Sequence, residues 1–224
     1  MDLDRPTYTV RHLQGREPVA FSTLEEIRLS HWLDTDCGKR PEVGFRLCCT
    51  STALIGRFEV RAERIRCVNT RFQSPVYEDS CVEFFFRPFP DRGYFNFEFN
   101  CAGAVLSYFI TDWTRAGNAF AAYQPLTETD LRTIGVRSTF GPEDLPIHDI
   151  LADWSLEFEI PFALLRAYIA DAGEIQKQPE WRGNVYKCAD LSASPHWGSW
   201  APLRAKNFHS PEEFGRLLPT LRGA

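Results

Sequence analysis

Methionine is nearly missing from this chain: Met1 is the one residue of its type among 224. No uninterrupted apolar stretch nears the ~18 residues that mark a membrane-spanning helix, so no membrane partner is expected. Positive charge is not in excess either. Lys and Arg total 25 against 30 Asp and Glu, a formal net charge of −5. Such a balance lacks the basic footprint of a nucleic-acid binder. No C-x-x-C pair occurs among Cys37, Cys48, Cys49, Cys67, Cys81, Cys101 and Cys188, and their number is odd. That argues against a disulfide framework or a zinc ribbon, and the cysteines are expected as buried small hydrophobes in a reducing compartment. Met1 to Pro6 show neither the basic start nor the apolar centre of a signal peptide. Cytoplasmic residence is the expectation for the chain as it stands, and export if a leader has been removed. With no internal repeat and no low-complexity linker, one domain over residues 5–220 is expected.

Aromatic residues are what the chain has in quantity: 18 Phe, 7 Tyr and 6 Trp, within an apolar fraction of 44%. That is ample material for a core, and these side chains favour strands. Short strand-like runs occur at 44–50, 54–60, 64–68, 81–87, 94–100, 104–110, 132–138 and 154–160. Short strands with frequent turn signals imply an all-β sandwich or barrel. Helix signals are few. Ser22 three residues before Glu25 forms a capping box, Pro161 precedes Phe162–Leu165, and Ser210-Pro211-Glu212-Glu213 starts one late turn.

The clearest pattern is a hairpin. Phe95, Phe97 and Phe99 alternate with Asn96, Glu98 and Asn100, while Val82, Phe84 and Phe86 alternate with Cys81, Glu83, Phe85 and Arg87. Matching the apolar faces sets Phe84 opposite Phe97 and Glu83 opposite Glu98, since a one-residue slip would mix the faces. Two carboxylates so placed repel. An internal network with Arg is the plain expectation. Ligand contact, a glycosidase acid/base pair and a metal are the alternatives.

Residues 181–200 carry Trp181, Tyr186, Trp197 and Trp200 beside Arg182, Asn184, Lys187, Asp190 and His196. Without continuous periodicity, this segment reads as irregular. Aromatic faces beside amide and charged groups suit the apolar face and hydroxyls of a sugar ring.

Three stretches carry a resemblance to family 9 carbohydrate-binding modules and their DOMON-like relatives. Tyr77 to Phe86 (YEDSCVEFFF) is similar to the family's acidic D-D/E-D-S-x-V-E run. Tyr94 to Gly103 (YFNFEFNCAG) is similar to its Y-x-x-F-E-hydrophobic-N-x-x-G strand, and Trp154 to Phe162 (WSLEFEIPF) to its late W-x-hydrophobic-E strand ending in I-P. The tail, Arg182 to Cys188 with Pro195 to Trp200 and Phe208 to Gly215, resembles a bacterial subgroup. The resemblance implies a jelly-roll-like β-sandwich with a few short helices, no catalysis, a mono- or oligosaccharide ligand and structural Ca2+. It also implies ring stacking from Trp197 and Trp200 facing Tyr77, with hydroxyl contacts from Glu78, Asp79, Arg182, Asn184 and His196 and with Tyr186 among the ligand-binding residues.

Three other functions stay open on the sequence. A glycoside hydrolase or lyase would act through Glu83 and Glu98. A haem domain would need His148, His196 or His209 as axial pairs, because methionine is confined to Met1. A non-sugar interaction module would keep the sandwich and lose the site. His31, His148 and His209 lack metal-ligand spacing and are expected in solvated or capping roles.

Overall fold

The computed structural model describes residues 5–14, 18–33, 40–117, 119–169 and 175–220. The strands are β1 (Thr7–His12), β2 (Ile27–Arg28), β3 (His31–Trp32), β4 (Glu42–Cys49), β5 (Ala53–Cys67), β6 (Cys81–Arg87) and β7 (Tyr94–Asn100). They continue with β8 (Val105–Ala116), β9 (Ala119–Pro125), β10 (Gly135–Ser138), β11 (Ile147–Pro161), β12 (Trp181–Cys188), β13 (Trp197–Ser199) and β14 (Gly215–Pro219). Among the described residues the α-helices are α1 (Glu128–Leu131) and α2 (Phe162–Tyr168).

Hydrogen bonding runs along one path, β10-β11-β5-β4-β1-β14-β12-β6-β7-β8-β9. The path folds over on itself at β1. Thr7–Val10 pair in parallel with β14, and Arg11–His12 pair in parallel with β4. The result is a sandwich whose layers meet through phenylalanine rings. Phe45 and Phe158 lie 5.6 and 5.7 Å from Phe84, and Phe158 stacks on Phe99 at 5.4 Å. The all-β expectation holds, and the hairpin register is as the alternation implied: Glu83 opposite Glu98 and Phe84 opposite Phe97.

Several expectations change. The runs 54–60 and 64–68 are one strand, β5. An extra residue enters between Val60 and Glu63, where Ala62 takes φ 56° and donates its N–H to Asp153 Oδ1 at 2.8 Å. This bulge interrupts the alternation without ending the strand. The segment expected to be irregular over 181–200 is so at 189–196, which joins β12 to β13; its first part, 181–188, is regular. It is β12, the strand between β6 and β14, with both faces covered. A doubly buried strand loses the alternation of a half-exposed one. The helix expected at Ser22–Glu26 is a 3-10 turn, Phe21–Thr23, followed directly by β2. The other two helix signals become α2 and the 3-10 turn Pro211–Glu213. Cys48, Cys49, Cys67, Cys81, Cys101 and Cys188 are free thiols and buried, as expected; Cys37 lies outside the described residues. Among the described residues no helix is long and apolar enough to cross a membrane.

Candidate functional site

Period-2 alternation gives the β6–β7–β8–β12 layer two distinct faces. The inner face carries Val82, Phe84, Phe86, Phe95, Phe97, Phe99 and Val185 into the core. The outer face carries Glu83, Asn96, Glu98, Tyr108 and Cys188 to the floor of a pocket of ≈ 400 Å³. Its walls come from elsewhere. Tyr77 stands on the 3-10 turn before β6, Arg115 and Phe120 on the β8–β9 hairpin, and Asp190 and Trp197 on either side of the β12–β13 connection. Lys206 to His209 close it from the chain ahead of β14.

The floor is held by neutral donors. Asn96 Nδ2 donates to Glu98 Oε1 at 2.8 Å, and Asn96 Oδ1 accepts from the Tyr108 N–H at 2.6 Å. The Cys188 thiol donates to Glu83 Oε1 at 3.1 Å. Glu98 Oε2 is buried and without a hydrogen-bond partner. The Arg network expected around these acids is not there: among the described residues neither carboxylate is ion-paired with Arg or Lys. Burial pushes the Glu83 carboxyl well above the ordinary range, with Glu98 adding repulsion. Burial likewise pushes Glu98 up to about 7, against the Asn96 hydrogen bond and with Asp190 adding to the rise. Together the pair retains a proton near neutrality.

That has a sign for stability. A carboxyl whose folded pKa lies above its unfolded value holds more protons when folded, so stability falls as pH rises through the interval between the two values. For Glu98 the interval is the ordinary 4.5 up to about 7. Glu98→Gln is therefore expected to raise Tm at pH 8 and flatten its decline between pH 5 and 8. A Tm profile parallel to wild type would contradict this.

On the walls, Trp197 donates its indole N–H to Asp190 Oδ1 at 2.7 Å, and the Lys206 ammonium lies over its ring. Burial raises the Asp190 carboxyl against that hydrogen bond. Tyr77 is 40% exposed, enough to offer a ring face. Arg115 stacks over Phe120 at 4.3 Å. His209 is not solvated as expected. It lies 4.6 Å from Phe120 and 4.9 Å from Phe85, its Nδ1 is 2.8 Å from the Tyr94 hydroxyl, and burial lowers its pKa to about 3.

Of the residues expected to touch ligand, Tyr77 and Trp197 line this pocket and the others do other work. Asp79 is fully buried, accepting from Arg66, the Val68 and Asn69 N–H groups and Asn100 Nδ2. Glu78 ends the same turn, and its carbonyl accepts from Arg66 and Leu191. Arg182 sits at the opposite end of β12 and pairs with Glu180 at 2.7 Å. Asn184 brackets Ala201 with both ends of its amide. Tyr186 is sealed beneath Phe208, with rings 4.1 Å apart and its hydroxyl on the Phe208 carbonyl. His196 is buried against Glu63 and Trp32. Trp200 packs into the core against Gly215, where a Cβ would meet its ring at 2.5 Å.

The histidines proposed for haem stand in three separate settings. His148 is exposed on β11, His196 faces Glu63 and His209 lies in the ring cluster. Among the described residues, Cys81, Glu83 and Cys188 form a group whose ligand atoms lie within 4.8 Å of one another. Two sulfurs and one carboxylate do not suit calcium, which takes roughly 6–8 oxygen ligands.

Asn96 was legible as an outer-face neighbour of Glu98 by alternation along β7, whereas Tyr108 emerges only as Asn96's register partner on β8. Arg115, Phe120, Lys206 and His209 were not, because only chain folding brings their loops over the floor.

Comparison with known proteins agrees with this geometry. The model of carbohydrate-binding family 9 matches residues 9–218. A candidate carbohydrate-binding protein of Bacteroides uniformis is 27% identical, with TM-score 0.80 over 97% of this chain and 100% of its own. A family 9 module of Caldicellulosiruptor kristjanssonii in complex with glucose is 12% identical, with TM-score 0.63 over 97% of each chain. The same organism's family 9 module in complex with cellotriose is 14% identical, with TM-score 0.62 over 97% of this chain and 95% of its own. No curated protein matches the chain. A family match over almost the whole sequence, on a sandwich with an aromatic-walled polar pocket, establishes that the chain belongs to carbohydrate-binding family 9, a family of non-catalytic sugar-binding modules.

Proposed function

We propose that the pocket over β6–β7–β8 is the sugar site and that it takes the end of a mono- or oligosaccharide. The observation that carries this reading is the pairing of wall rings, Tyr77 exposed and Tyr108 and Trp197 half-buried, with an acceptor-rich floor in one ≈ 400 Å³ cavity, large enough for a sugar residue. Tyr77, Tyr108 and Trp197 offer faces for the apolar side of the ring. Glu83, Glu98 and Asp190 accept from hydroxyls, and Glu98 Oε2 is an acceptor waiting for one. Lys206 leaves the Trp197 face when a sugar takes it. The glucose and cellotriose held by two structural neighbours support glucose and its β-linked oligomers as the first ligands to try. The acid pair acts here by accepting hydrogen bonds, so the hydrolase reading of Glu83 and Glu98 is not needed.

Intrinsic Trp fluorescence titrated with mono- and oligosaccharides tests the site. Ring stacking on a base is worth ~1–3 kcal/mol, and a similar contribution predicts roughly 5- to 150-fold weaker binding in Trp197→Ala. Trp200→Phe, beneath the core, is expected to leave Kd unchanged. Unchanged affinity in both Trp197→Ala and Tyr77→Ala, or no saturable response to any sugar, would overturn the assignment.

A further inference from the structure

We infer that the pocket selects sugars carrying a free, protonated amine over their neutral and N-acetylated counterparts, an inference that rests on the pocket being the sugar site. Glu83 and Glu98 face each other as a register pair and are 3% and 5% exposed. Their hydrogen bonds come from a thiol and a carboxamide, both uncharged. One oxygen, Glu98 Oε2, is buried and takes no hydrogen bond at all. Asp190 adds a third carboxylate on the wall. Of the cations that line the pocket, Arg115 stands over Phe120, and Lys206 stands over Trp197 and, against the rise from burial, draws the Asp190 carboxyl down, on the wall and not on the floor pair.

The buried pair retains a proton near neutrality, keeps one open acceptor and has no Arg or Lys ion partner among the described residues, so a cation can take that proton's place. A sugar hydroxyl would fill the open acceptor but bring no charge. An ammonium brings the charge and three N–H donors, so it serves Glu83 and Glu98 together. The walls suit the same group, because the faces of Tyr77, Tyr108 and Trp197 attract cations through their quadrupoles. Trp197 already holds one ammonium, that of Lys206. Acetylation of the amine removes the charge and leaves a single N–H, and so forfeits both contributions.

The test is calorimetric titration of the whole chain with glucosamine, glucose and N-acetylglucosamine, at a pH where the amine is protonated. Glucosamine is expected to bind roughly 10-fold or more tightly than either of the others, the scale of one charge-assisted contact. In Glu98→Gln, and in Glu83→Gln as a second isosteric variant, the ratio is expected to fall toward one, with thermal melts showing both variants folded. Glucose binding as tightly as glucosamine would overturn the inference and leave the sugar site standing. So would a preference for glucosamine that persists in both variants. Failure of all three sugars and of cello-oligosaccharides to bind would overturn the site assignment itself.

Discussion

Lys187→Met is expected to destabilise the protein by about 3–5 kcal/mol, the usual cost of removing one partner from a buried ion pair. For a chain of this size that lowers Tm by about 6–20 °C. The Lys187 side chain is fully buried, with Nζ 2.7 Å from Glu63 Oε1 and 2.7 Å from the Cys188 carbonyl. Glu63 is 1% exposed and accepts the Trp154 indole N–H at 2.7 Å. Without Lys187 its charge has no full compensation; His196 Nε2 is 3.5 Å away. Glu63→Gln combined with Lys187→Met removes both charges and keeps an acceptor for Trp154, so it is expected to recover most of the loss. Urea unfolding of the single and double variants checks this. A single variant within about 1 kcal/mol of wild type would show that the pair contributes no more than a surface ion pair.

Asp79→Asn separates a residue of the fold from a residue of the site. If Asp79 touched sugar, the variant would keep its stability and lose affinity. The structure predicts the reverse. Its carboxylate gathers Arg66, two backbone N–H groups and Asn100 at the turn that carries Tyr77. Asn100 in turn accepts from the Ala104 N–H at 2.9 Å. An amide keeps one acceptor, but its NH2 faces donors and it loses the guanidinium. Leaving buried donors unmatched costs about 1–3 kcal/mol each, less for Arg66, which reaches solvent. A loss of about 3 kcal/mol or more is expected, with sugar affinity of the folded fraction within a few-fold of wild type. Urea unfolding and fluorescence titration of the same preparation give both numbers.

The legible part of the site was its floor. Alternation in two phenylalanine-rich runs was enough to place Glu83 opposite Glu98, because only one register buries both apolar triplets. What alternation could not say was what surrounds the pair. An Arg network is the commoner answer for facing carboxylates, and here the partners are Asn96 and Cys188. The tail misled for a different reason. Its mixture of rings and polar groups resembles a ligand surface, yet Asn184 and Tyr186 are buried on β12 by the chain that later crosses them. Polar residues that satisfy buried backbone look in sequence like polar residues that satisfy a ligand.

The two candidate stacking tryptophans show the division most simply. In extended chain, residues three apart point to opposite sides. Trp197 opens onto the pocket, while Trp200 packs over Gly215 in the core. By itself the sequence determined that the chain is built of strands, which residues share a face, and that two acids meet on one of them. Those follow from local geometry, in which side chains alternate every second residue. Tertiary structure alone decided which face is roofed by Phe208 and His209 and which tryptophan is walled in. It also decided that, among the described residues, neither Glu83 nor Glu98 is ion-paired with Arg or Lys, because these depend on contacts between segments as far apart as β7 and the loop before β14.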